Sequence, residues 1–183
     1  MSRIVHVFDN PERFVVGTVG VPGDRTFFLQ ARIGNRMVSV SLEKEQVALL
    51  ADRLNELLDQ VEVAEGVDAQ HFGPADLEPL DNPISEEFRV GTLALGWNST
   101  SQQVIIEAHA VTEFFEDVPD LEEESEDGPD VVRVRISGGY ARGFAQRALS
   151  VVSAGRPPCP LCQQPLDPRG HICPRSNGYR RRG

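Results

Sequence analysis

The sequence predicts an α+β fold: two β-β-β(-β)-α repeats forming one antiparallel sheet with helices packed on one face, followed by a C-terminal zinc knuckle. Three observations point there. Apolar residues alternate over short stretches separated by Gly, Pro and Asn turns, the signature of half-buried strands. Twice this pattern gives way to apolar residues spaced by three and four, the period of a helix face. All three cysteines then gather beside a histidine close to the C-terminus.

In chain order, residues 4–8, 14–20, 26–33 and 37–41 read as strands. Val21-Pro22-Gly23-Asp24 places Pro and Gly where a type II turn needs them, and Gly34-Asn35 offers positive-φ residues to a tight hairpin. Ser41 is the predicted N-cap of a helix whose buried face is Val47, Leu50, Leu54, Leu57, Leu58 and Val61. Residues 62–83 are rich in Pro, Gly and acid and read as a loop. Strands at 88–97, 104–111 and 131–136 come next. A second helix, capped by Ser137 and stopped by Pro157-Pro158, carries the stripe Tyr140, Phe144, Ala148, Val151 and Val152. Phe14, Val16, Gly17 and Thr18 match Phe88, Val90, Gly91 and Thr92 at a constant offset of 74, which an internal duplication explains most simply. The expected body is therefore 1–155, with repeat one at 1–65, a linker at 66–85 and repeat two at 86–155. Residues 156–183 form the knuckle and an arginine-rich tail.

Strand alternation assigns the faces. Phe27, Leu29, Ala31 and Ile33 point one way and Phe28, Gln30 and Arg32 the other. Val104, Ile106 and Ala108 oppose Ile105, Glu107 and His109, while Val132, Val134 and Ile136 oppose Arg133 and Arg135. With helices on the apolar side, the second face is expected to stay open.

At 183 residues, with 40% apolar and 25% charged residues, the chain suits one ordinary globular domain plus a small appendage. No apolar run is long enough to cross a membrane, and the first residues lack a secretory signal, so a cytoplasmic setting is expected. The sequon at Asn98-Ser99-Thr100 is then a chance match. The net charge of −10 divides into −9 over 1–112, −10 over 113–130, +4 over 131–154 and +5 over 155–183. The acidic stretch 113–130 holds ten carboxylates and no base, and reads as a solvated loop.

Cys159-Pro160-Leu161-Cys162 is a turn whose two-residue spacing lets both sulfurs reach one ion, and His171-Ile172-Cys173 supplies a second pair after a Pro- and Gly-containing reversal. Four such ligands close a structural zinc site and leave no position for a reacting water. Arg156, Arg169, Arg175, Arg180, Arg181 and Arg182 keep this end cationic, which suits phosphate or an acidic partner.

The run from Cys159 through Arg181, together with Phe14-Val15-Val16-Gly17-Thr18-Val19-Gly20 and Arg25-Thr26-Phe27-Phe28-Leu29-Gln30-Ala31-Arg32, resembles an uncharacterised actinobacterial family of unknown function over nearly the whole chain. The resemblance implies a bacterial, cytoplasmic setting and no particular activity. The strand order alone is similar to the repeats of purine-rich-element binding and Whirly-type proteins, which bind single-stranded nucleic acid on a sheet face.

Three functions follow as expectations. The first is a non-catalytic binding module that contacts RNA, DNA or a nucleoprotein complex through the knuckle and tail, with Arg32, Arg133 and Arg135 adding contacts on the sheet. The second is a protein-protein adaptor that docks through the knuckle. The third is an enzyme with His109 as base, Glu107 beside it, and Arg32, Arg133 and Arg135 as anion clamps. No nucleophile elbow, Walker motif or metalloprotease helix supports the third, and the Gly-rich 17–23 stretch leads into a strand rather than a helix. His6 and His71 stand in no motif.

Overall fold

The computed structural model describes residues 2–70, 76–113, 120–166 and 170–175. Seven strands and two helices follow the order β1 (Val5–Asp9), β2 (Arg13–Val21), β3 (Asp24–Ile33), β4 (Arg36–Leu42), α1 (Lys44–Glu65), β5 (Glu86–Asn98), β6 (Gln103–Ala110), β7 (Val131–Ser137) and α2 (Gly138–Ser153). The strands form one mostly antiparallel sheet in the order β1-β7-β6-β5-β4-β3-β2. Two antiparallel meanders, β2-β3-β4 and β5-β6-β7, lie side by side, and each is followed by a helix. They join where β4 runs parallel to the start of β5 through Ser39 with Glu86 and Ser41 with Arg89.

β1 breaks this symmetry. It pairs in parallel with β7, from Val5 opposite Val131 to Asp9 opposite Arg135, although only residues 10–12 separate it from β2 at the far end of the sheet. Six strand spacings would place those edges about 29 Å apart on a flat sheet. Four residue steps span at most about 14 Å. The sheet therefore curls until its edges approach, and the β3-β4 turn meets β1: Arg36 donates to the Val7 carbonyl and its guanidinium stacks 4.3 Å from the Phe8 ring centre.

The inner face of the curl holds the core. Phe27, Leu29 and Ala31, Val104, Ile106 and Ala108, and Val132, Val134 and Ile136 all pack there against Val47, Leu50, Leu54 and Leu58 of α1 and Ala141, Phe144 and Ala148 of α2. Phe14 and Phe144 stack with ring centres 4.5 Å apart. Helix α1 starts two residues later than Ser41 suggested. Ser41 remains in the β4 ladder, and Glu43 caps the helix through a capping box with Gln46. Ser137 caps α2, accepting from the Tyr140 N–H. At the β3-β4 hairpin Gly34 takes the positive φ (56°), while Asn35 does not.

The second face is covered, not open. Over the first meander, Leu80 from the linker packs on Val15 and Phe28. Arg13 binds Asp76 with Nε 2.8 Å from Oδ2, and Gln30 and Arg32 hold Asp81. Over the second meander, described residues of the acidic stretch lie against the sheet rather than free in solvent. Arg3 pairs its N–H with the Glu126 carbonyl, Arg133 donates to the Glu123 carbonyl, and Arg135 binds Glu122. Arginines thus hold each loop down onto the outward face, Arg13 and Arg32 the linker and Arg133 and Arg135 the acidic stretch.

Candidate metal centre

Beyond α2 the chain turns back on itself in a small hairpin. Pro158 and Pro165 face each other in an antiparallel bridge, the Cys159 N–H donates to the Gln164 carbonyl at 2.8 Å, and the Gln163 N–H returns to the Cys159 carbonyl at 2.8 Å. Gln163 takes a positive φ of 61°, which closes the turn and leaves Cys159 and Cys162 on one side of it. Gly170, at φ 118°, brings in the second arm, and Arg175 ties that arm back by donating to the Leu161 carbonyl at 3.1 Å.

These turns bring Cys159, Cys162, His171 and Cys173 together, with one ligand atom of each within 4.8 Å of every other. Cys159 Sγ lies 3.9 Å from Cys173 Sγ, and Cys162 Sγ lies 3.2 Å from His171 Nε2. Cys159 and Cys173 are buried; Cys162 and His171 are half-buried. Backbone N–H groups of Cys162 and Leu161 donate to the Cys159 sulfur and draw its thiol down to about 6. Cys162 is pushed up, first by loss of solvent and then by the sulfurs of Cys159 and Cys173, with the Gln164 backbone acting in the opposite sense. Three sulfurs and one imidazole nitrogen crowded at this range form a donor set that suits a cation. These four residues could hold a metal ion.

Arg32, Arg133 and Arg135 do not converge on this centre. Arg32 is paired with Glu12 and Asp81, and Arg135 with Asp9 and Glu122. Glu107, His109 and Arg133 form a buried triad on the covered face, with exposures of 0, 1 and 4%. Arg133 Nε lies 2.5 Å from Glu107 Oε1, the Glu122 N–H donates to the same oxygen at 2.9 Å, and His109 Nε2 lies 3.0 Å from Oε2. Burial alone would raise the Glu107 carboxyl, but His109, Arg133 and the Glu122 N–H together hold it near 2. Arg175 is described, whereas Arg169, Arg180, Arg181, Arg182 and His71 lie outside the described residues. The structure also adds residues that the sequence pattern did not single out. Arg147 donates to the Val16 and Glu78 carbonyls and pairs with Asp76, joining α2, the β2 edge and the linker. Single charges scattered through strands and loops give no periodic signal of such pairing.

No helix among the described residues is long and apolar enough to cross a membrane. No curated protein and no solved structure matches the chain. A family model described as a protein of unknown function, DUF3090, matches residues 6–173, a span that takes in the curled sheet, both helices and all four clustered ligands; the chain belongs to that family.

Proposed function

We propose that this protein is a non-catalytic binding module whose Cys159, Cys162, His171 and Cys173 hold a structural Zn²⁺, fixing the C-terminal knuckle as a docking surface. The observation that carries the reading is the convergence of three sulfurs and one imidazole nitrogen within 4.8 Å. Zinc favours this donor set, and a tetrahedron with metal–sulfur bonds of ~2.3 Å has sulfur–sulfur edges of about 3.8 Å, close to the 3.9 Å between Cys159 and Cys173. Four protein ligands leave no open position, so the metal's contribution is to the shape of the knuckle.

The basic tail, with the +5 charge of residues 155–183, favours a phosphate-bearing partner such as RNA, DNA or a nucleoprotein complex. Pairing of Arg32, Arg133 and Arg135 with carboxylates shifts that reading away from the sheet and onto the knuckle and tail. A protein adaptor is the second reading, favoured by Leu161 and Ile172, which stand 51 and 83% exposed on the knuckle. Acid-base chemistry at His109 and Glu107 is disfavoured by their burial beneath the loop.

The test is elemental analysis of the purified full chain, followed by titration with single-stranded RNA and DNA at several salt concentrations. The binding-module reading predicts about one zinc per chain and, for a phosphate partner, affinity that falls steeply with salt. Absence of bound metal removes the zinc; salt-independent or absent binding removes the nucleic acid and leaves the adaptor.

A further inference from the structure

We propose that Cys159 and Cys173 are a redox pair, and that closing a disulfide between them ejects the metal and dismantles the docking surface. This switch rests on the proposed zinc site and concerns its control.

Cys159 Sγ and Cys173 Sγ stand 3.9 Å apart on two separate arms of the knuckle. A disulfide requires a sulfur–sulfur distance near 2.05 Å, so the closure needed is roughly 2 Å, within reach of side-chain rotation and a small shift of one arm. The arm carrying Cys173 is a short segment with Gly170 behind it, and among the described residues nothing lies within 4 Å of where a Gly170 side chain would start. Beyond the four ligands, its described tie to the first arm is the exposed hydrogen bond from Arg175 to the Leu161 carbonyl. The chain contains three cysteines, so an internal pair leaves one thiol over. Cys162 is the one left, with its sulfur 3.2 Å from His171 Nε2.

The chemistry balances with a hydroperoxide as oxidant. One thiolate takes an oxygen from hydrogen peroxide, becoming a sulfenic acid and releasing hydroxide. The second thiolate attacks that sulfur, forms the S–S bond and displaces another hydroxide. Two protons convert both hydroxides to water, so the two sulfurs supply the two electrons that reduce the peroxide. Two of the four ligands are then consumed, and Cys162 with His171 alone makes a poor zinc site. The arms lose the ion that joined them, and with it the fixed presentation of Leu161 and Ile172. Reductant and zinc together restore the original state.

The experiment uses the full chain loaded with Zn²⁺. It is treated with hydrogen peroxide while released metal is followed with a chromogenic chelator, and the cysteines are then mapped by alkylation and peptide mass spectrometry. The expected result is loss of nearly all bound zinc, a Cys159–Cys173 disulfide, an alkylated Cys162, and recovery of metal binding after dithiothreitol and zinc. Retention of zinc under peroxide overturns the switch, as does release accompanied by sulfinic acids, by disulfides between chains, or by a pair that includes Cys162. A chain that takes up no zinc before oxidation defeats the structural-metal reading itself, and the switch falls with it; a chain that binds zinc and keeps it defeats the switch alone.

Discussion

At Glu107 the Arg133 guanidinium and the Glu122 N–H donate to one carboxylate oxygen, and the His109 ring lies 3.0 Å from the other. All three side chains are buried, so removing one partner leaves a charge that the interior cannot solvate. Glu107→Ala should destabilise the fold by about 3–5 kcal/mol, read from urea unfolding, because Arg133 stays buried and unpaired. Glu107→Gln, which keeps an acceptor, should cost less; equal losses would show that packing and not charge is at stake. The same carboxyl predicts a pH dependence. Its folded value near 2 lies below the ordinary 4.5. A depressed folded value means that the stability from this group is complete above 4.5 and is lost as pH falls from there toward 2. Between neutral pH and about 3, the wild type should therefore lose more stability than Glu107→Gln. Parallel losses in the two proteins would assign the acid sensitivity to other carboxylates.

At the scale of elements, Gly17 of β2 and Gly91 of β5, 74 positions apart, both lie where another part of the chain comes close. A Cβ on Gly17 would sit 2.5 Å from Leu80 Cγ, and one on Gly91 would sit 2.8 Å from the Val111 Cα. The first obstacle is a side chain that can tilt. The second is backbone. Both alanine variants should lower stability, by about 1–3 kcal/mol, with Gly91→Ala the more damaging; thermal unfolding of the two variants gives the order, and a milder Gly91→Ala would contradict backbone crowding as the cause. Strand positions and face assignments were legible because alternation of the Phe27–Leu29–Ala31 kind is imposed by the pleat itself. The α1 cap was harder to read. Ser41 is the better capping residue by type, but its backbone is committed to the ladder beside Phe28. The covering of the outer face was not legible at all, since it depends on pairs such as Arg13 with Asp76, far apart in sequence and embedded in no periodic pattern. At the candidate metal centre the opposite held. Two short ligand pairs declared themselves by spacing, because a metal site built on turns needs its ligands close in sequence.

For the whole molecule, the hydrophobic core and the C-terminal hairpin draw on different residues. Among the described residues the core clusters include none beyond Val152, and the knuckle from Pro158 onward is held by its own hairpin and its four clustered ligands. Removing metal with a chelator should therefore unravel the C-terminal segment and leave the sheet and helices folded. Limited proteolysis would show new cuts after residue 155 while the thermal midpoint of the body stays in place. A midpoint that collapses with chelation would mean that the two parts fold as one.

The parallel docking of β1 beside β7 also imposes an order of events during synthesis. Val5 leaves the ribosome well before its partner Val131, which lies 126 positions further along (131 − 5). Until then β1 has no strand to pair with, so closure of the curl is a late step that follows completion of the second meander. A growing chain halted before β7 would carry β1 as a ribbon searching for an edge that does not yet exist, and would be open to pairing with its neighbours on the same message.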